Sequence, residues 1–267
     1  GTVSINGGNV LFTPTVNYNG QASFEYTVED NGTTNGAADS KTSATAATVS
    51  FSITAVNDAP TLNLINNPTA ILEDSGQQVV NLSGISAGAP ADETGQSLTV
   101  TAASDNTALI PNPTVNYTSA NFTGSLSYTP AANAFGTASI TVTVSDNGGT
   151  ANGGADTFTR TFTVNVIAVN DAPSFTKGGD HFVARNAGAQ TVSNWATNIS
   201  AGASNEAGQA LSFNVTNNNN SLFAAQPAIS PSGTLTYTLA ANVTGTATVT
   251  VTLSDNGGTA NGGQNTS

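Results

Sequence analysis

Along several stretches of this chain apolar and polar residues alternate one by one. Ala138, Ile140, Val142 and Val144 are interleaved with Ser139, Thr141, Thr143 and Ser145. The same alternation sets Ala247, Val249, Val251 and Leu253 on one side near the C-terminus, and Ala22, Phe24, Tyr26 and Val28 near the N-terminus. Neighbouring side chains of a strand point to opposite faces, so period two predicts strands with one face on a core and the other in water. A further strand is expected with Phe162, Val164 and Val166 inward, and its counterpart with Phe51 and Ile53 inward. About seven such segments lie between residues 60 and 172, and nothing longer than a turn repeats with period 3.6. The pattern predicts an all-β fold of antiparallel sandwiches.

The segments recur in order. "VSDNGGTANGGAD" (Val144–Asp156) returns as "LSDNGGTANGG" (Leu253–Gly263) and, more loosely, as "VEDNGTTNGAAD" (Val28–Asp39). "AVNDAP" stands at Ala55–Pro60 and again at Ala168–Pro173, 113 residues later. "FTPTVNYNG" (from Phe12), "YTPAANAFG" (from Tyr128) and "YTLAANVTG" (from Tyr237) precede the acid–glycine loops. "ISAGAPADETGQSLTV" from Ile85 returns as "ISAGASNEAGQALSF" from Ile199. Such a period is too long for a solenoid and fits a string of domains. Three tandem Ig-like units are expected in an elongated rod: residues 1–59, the late part of a sandwich; 60–172, a whole one; and 173–267, one lacking its last strand. A sandwich short of a strand has an open edge, which either the continuing chain or a strand from another molecule would cover.

Composition narrows the function classes. Only 7% of residues are charged, so Thr, Ser and Asn must supply the polar surface. The net charge is −12, with Lys41, Arg160, Lys177 and Arg185 as the four bases. Phosphate backbones need basic surface, so nucleic acid is not an expected partner. The chain has no Cys, hence no disulfide or thiolate site, and no apolar run long enough to insert in a membrane. It does not begin with Met, shows no signal peptide, and reads as an internal piece of something longer. Without basic partners, clustered acids need another source of positive charge.

The stretch "VSDNGGTANGGADTFTRTFTVNVIAVNDAPSF" (Val144–Phe175) resembles the end of a cadherin repeat. Together with "FTPTVNYNG" it is more similar still to the bacterial cadherin-like tandem repeats of large surface adhesins and matrix proteins. That resemblance implies an extracellular, cell-surface stalk or filament whose repeats contact one another along the chain and are stiffened by Ca2+. Carried over by position, it implies metal ligands at Asn57, Asp58, Asp92, Glu93 and Asp146 where the first two units meet. At the second meeting point it implies Glu73, Asn170, Asp171, Glu206 and Asp255. The pattern departs from the family at Ala55 and Ala168, where the linker's first Asp is missing, and at "VARNAG", which replaces "ILEDSG" and its Glu. Ca2+ takes six to eight oxygens, so weak sites of millimolar affinity are expected, with the first junction the richer.

Plainer readings stand beside these. Asp-Asn-Gly is ordinary turn chemistry, so Asp30, Asp146 and Asp255 also read as caps of their own loops. No Lys or helix start follows the glycines and acids flank them, so they are not phosphate cradles. His181 is the only histidine and has no catalytic partner; no nucleophile–base set or paired-carboxylate cleft is evident, and no enzyme activity is expected. Trp195, the only tryptophan, reads as a core plug of the third unit. Two alternatives remain open: residues 173–267 as a carbohydrate- or protein-binding module, and a fibre subunit polymerised by strand donation between copies. The ligand and the glycosylation state of triplets such as those at Asn81 and Asn116 are not legible.

Overall fold

The computed structural model describes residues 1–88 and 91–267; Ala89 and Pro90, inside the repeated stretch from Ile85, lie outside the described residues. The fold is all-β, and the only helical turns among the described residues are three-residue 3-10 turns. None is long and apolar enough to cross a membrane.

The second unit holds the seven expected strands. Ile71–Leu72, Thr157–Ile167, Gly136–Ser145 and Thr99–Ser104 form one sheet in that order, and Thr114–Asn116, Thr123–Tyr128 and Gln78–Ser83 form the other. Gly136–Ser145 pairs along its whole length with Thr157–Ile167, from Gly136↔Val166 to Ser145↔Thr157. The alternation seen in the sequence sets which face is buried. Ala138, Ile140, Val142, Val144, Phe162, Val164 and Val166 are buried in one core with Leu82 and Leu126 of the opposite sheet and Ile110 of the loop that follows Thr99–Ser104. Full burial of an aliphatic side chain contributes about 1.5–3 kcal/mol, so this face dominates the stability of the unit. Ile71–Leu72 runs parallel to the end of Thr157–Ile167, which brings the next residue, Glu73, to the place where the chain leaves the unit.

The outer units are less closed, and there the period-two reading overreaches. In the third unit the strand starts only at Val249; Leu253 is fully buried, but Val249 is 38% exposed and Ala247 lies before the strand. Val249–Ser254 pairs with Ser212–Asn217 on one side, while the other side has only the bridge Ser254↔Thr266. In the first unit Gly20–Tyr26 pairs with Ala47–Ile53, as expected, but Tyr26 and Val28 are exposed. The cause is the same at both ends: no second layer among the described residues covers that part of the face. Trp195 packs half-buried against the third unit's core, and its indole N–H donates to Gly179 O at 3.1 Å. His181 is exposed; it meets the Tyr237 hydroxyl through Nδ1 and lies edge-on to the Tyr237 ring.

Candidate functional site

The three acid–glycine loops share one local device. Asp30 Oδ1 accepts from the backbone N–H of Gly32 and of Lys41, both at 3.0 Å, which hold its carboxyl below the ordinary value. Asp146 Oδ1 accepts from Gly148 N at 2.9 Å, and Asp255 Oδ1 from Gly257 N at 2.9 Å. So the loop-cap reading holds for all three. Asp146 and Asp255 do something more, because each also receives the linker that enters its unit.

At the first junction Asn57 enters the loop. Its Nδ2 donates to Asp146 Oδ1 at 2.9 Å and to Ala155 O at 2.7 Å, and its backbone O accepts from Ala155 N at 3.0 Å. Gln96 Nε2 donates to Asn57 Oδ1 at 2.6 Å and also to Glu93 Oε2. Glu93, buried, accepts through Oε1 from Asp58 N at 3.2 Å. The result is one chain of polar groups, Asp146–Asn57–Gln96–Glu93. Gly148 is required by close approach: a Cβ there would lie 1.8 Å from Asn57 Oδ1 and 2.5 Å from Gln96 Nε2. Asn147 Oδ1, accepting from Ser97 N at 2.7 Å, ties the loop to the Gln96 turn.

The second junction repeats this atom for atom on one side. Asn170 Nδ2 donates to Asp255 Oδ1 at 3.0 Å and to Gln264 O at 2.6 Å, and Gln264 N donates to Asn170 O at 2.8 Å. Gln209 Nε2 donates to Asn170 Oδ1 at 2.7 Å, and Asp171 N to Glu206 Oε1 at 2.9 Å. A Cβ at Gly257 would lie 1.7 Å from Asn170 Oδ1. Gln96 and Gln209 were missed as site residues, although their signal was present: each stands 39 residues after its linker Asn.

The junctions differ in what faces the preceding unit. At the first, Asp58 joins the Asn57 network through its backbone N–H, while its side chain and Asp92 lie at a cleft beside it. They line an open cleft of about 240 Å³ with Thr15, Asn17 and Tyr18 of the first unit, and Asn19 Nδ2 donates to Asp92 Oδ2. At the second, Glu73 of the preceding unit reaches into the linker and accepts from Val169 N at 2.6 Å. Burial pushes the Glu73 carboxyl above its ordinary value; Val169 N offsets part of this, while the charges of Asp171, Asp74 and Glu206 raise it further. Glu73, Glu206 and Asp255 are each no more than 9% exposed. Their second oxygens, Oε2, Oε2 and Oδ2, are buried without a hydrogen-bond partner among the described residues, as is Gln209 Oε1. At the first junction the corresponding atoms are only Asp146 Oδ2 and Gln96 Oε1, because Gln96 satisfies Glu93. The second junction therefore has more unsatisfied acid than the first. Glu73 adds one such oxygen, and Glu206 adds another because the Gln209 amide bonds to Asn170 and not, as Gln96 does, to its neighbouring Glu.

A buried carboxylate oxygen without a donor is costly, and a hard cation is one remedy. The atoms left over at the second junction are all oxygens, which fits Ca2+ rather than a softer metal. No three His, Cys, Asp or Glu side chains among the described residues form a group that could hold a metal ion. Among the described residues the one salt bridge joins Lys41 to Asp39 at 2.6 Å, so no base neutralises a junction acid.

Together the fold and the junctions define a class, tandem Ig-like and cadherin-like β-sandwich repeats joined by docked linkers. The chain belongs to the bacterial Ig domain family, whose model matches residues 37–166 and 170–266. Residues 1–50 match the cadherin-like domain. Both are typical of extracellular surface proteins and typically non-enzymatic. No curated protein matches the chain. Among solved structures it is similar to mouse cadherin-23 EC22-24 (18% identity, 94% of this chain and 74% of that one, TM-score 0.46). It is also similar to titin domains Z1Z2 in complex with telethonin (13%, 75% and 90%, 0.33). Domains 5–6 of the S-layer protein SbsC give 14%, 75% and 93%, with a TM-score of 0.23. All three likenesses are too distant to bear on function.

Proposed function

We propose that this chain is a spacer segment of an extracellular surface or filament protein, in which repeats are set end to end and Ca2+ stiffens the second junction most. One observation carries the reading. Glu73, Glu206 and Asp255 are buried at the meeting of two repeats, each with an oxygen left over and no base to neutralise it. Of the expected ligands, Glu73, Asp171 and Glu206 would hold the ion across the second junction, with Asp255 nearest the linker amide; Gln209, which was not expected, lies beside it. Bound there, Ca2+ would supply positive charge and oxygen coordination joining the preceding unit, the linker and the following unit. Asn57, Asp58, Asp92, Glu93 and Asp146 would form the weaker first site. The chain's own residues set the direction of each linker. Pro60 and Pro173 fix the backbone after the Asn-Asp pair, and the plug of Asn57 or Asn170 seats it in the next unit. Nothing in the geometry assembles a nucleophile with a base, and the reading is non-enzymatic.

The test is a calcium titration of the 267-residue chain followed by small-angle scattering and thermal unfolding. Calcium is expected to narrow the range of scattering dimensions and raise the unfolding temperature, and EDTA to reverse both. A chain whose scattering and unfolding are the same in chelator and in millimolar calcium would overturn the cation reading.

A further inference from the structure

The polar contacts of each linker are one-sided. Asn57 and Asp58 bond only forward, to Glu93, Gln96, Asp146 and Ala155. Asn170 and Asp171 likewise bond to Glu206, Gln209, Asp255 and Gln264. Each linker Asn thus accepts at its backbone O from the N–H of one loop residue, Ala155 or Gln264, and returns a bond to that residue's O from its side-chain Nδ2. It also inserts an amide whose oxygen and nitrogen are both taken. An amide is suited to this position, because it presents a donor to an acid on one side and an acceptor to a glutamine on the other. Backward contacts are fewer: Val169 N to Glu73 at the second junction, and the Asn19–Asp92 pair at the first.

We infer that each Asn-Asp linker is latched to the repeat that follows it by this amide chain, without a metal ion. Gln96 and Gln209 act as positioning residues through Asn57 and Asn170. The linker then moves as part of the following repeat. The hinge of each junction lies just upstream, after the last strand residue, at residues 54–56 and 168–169. At the second junction a cation acts across that hinge, at the Glu73 side. The glycine loops are explained by the same device. Gly148 and Gly257 leave room for the amide, and no side chain fits where they stand. Only the last step, the site of cation action, rests on the proposed spacer function; the latch stands or falls without it.

The experiment is site-resolved amide hydrogen exchange on the 267-residue chain, in chelator and in millimolar calcium. The amides of Ala155, Gln264, Asp58 and Asp171 are expected to keep their protection in chelator. Asn57→Ala is expected to speed exchange at Ala155 and Asp58 by about tenfold, the effect of losing one to two net hydrogen bonds, and to leave Gln264 and Asp171 unchanged. Gln96→Ala should give a smaller change at the same two amides. The strand Gly136–Ser145 is the folding control, and if a variant loses protection there, the unmutated chain with and without chelator decides alone. Chelator speeding Ala155 and Gln264 as much as Val169 would overturn the latch, as would unchanged exchange at Ala155 and Asp58 in a folded Asn57→Ala. A Val169 amide indifferent to calcium, with Ala155 and Gln264 still protected, would remove the cation reading and support the latch.

Discussion

The two junctions receive their linkers in the same way and meet the preceding repeat in different ways. At the first, a neutral amide, Asn19, faces Asp92, and Gln96 satisfies both oxygens it touches, on Asn57 and Glu93. At the second, an acid, Glu73, feels the charges of Asp171 and Glu206, and among the described residues the Gln209 side-chain amide donates to Asn170 and not to Glu206. A hydrogen-bonded polar network needs no further charge to be stable, whereas buried like charges do. The same sandwich pole can therefore be closed by amides or left dependent on a cation by changing which residue the preceding unit presents.

The largest effect should be the one the junctions share. Gly148→Ala and Gly257→Ala each force a methyl into the linker amide, and about 3 kcal/mol of stability should be lost in the unit concerned. Denaturant unfolding measures it, with Gly95→Ala, where the added carbon meets nothing, expected within about 0.5 kcal/mol of the parent. Unequal losses at Gly148 and Gly257 would show that the latches are not equivalent.

Next in size is the difference between junctions. Glu73→Gln removes one of the crowded acids and should stabilise the chain in chelator by about 1 kcal/mol while abolishing its thermal response to calcium. Asp92→Asn should change stability by less than about 0.5 kcal/mol, since that pair is exposed. A calcium response that survives Glu73→Gln but not Asp92→Asn would exchange the roles assigned to the two junctions.

Smaller still is the pH dependence. The folded chain holds the Glu73 proton more tightly than the unfolded chain, whose carboxyl titrates near 4.5. In chelator, stability should therefore be greatest below that value, fall as pH rises through the raised folded value, and level off above it. Comparing the difference between parent and Glu73→Gln across that window isolates the effect. A difference that does not change with pH would contradict the burial assigned to Glu73.

Much of this architecture is written in short-range patterns. The strand Gly136–Ser145 is legible because all four of its inward positions are apolar, and the repeats are legible because "VNDAP" and the acid–glycine loop return intact. The same rule overreached at Tyr26, Val28 and Val249, since alternation tells which face is apolar and not whether a second layer covers it. Residue types at the junctions were legible, but not their partners. Asn57 and Asn170 read as oxygen donors, whereas both ends of each amide are taken within the following unit. Gln96 and Gln209 were passed over because a neutral side chain does not stand out among acids. Counting acids favoured the first junction, yet the deciding residue, Glu73, lies 96 residues before Val169, the amide it accepts from.

The central claim is that the second junction depends on a cation more than the first does. A calcium titration read at the backbone amides of Val169 and Asp171, against those of Asp58 and Ala155, tests it most directly. The account predicts saturable shifts at Val169 and Asp171 at roughly millimolar calcium, with Asp58 and Ala155 nearly still. Saturation first at Asp58 and Ala155, or no shift at any of the four, would contradict it.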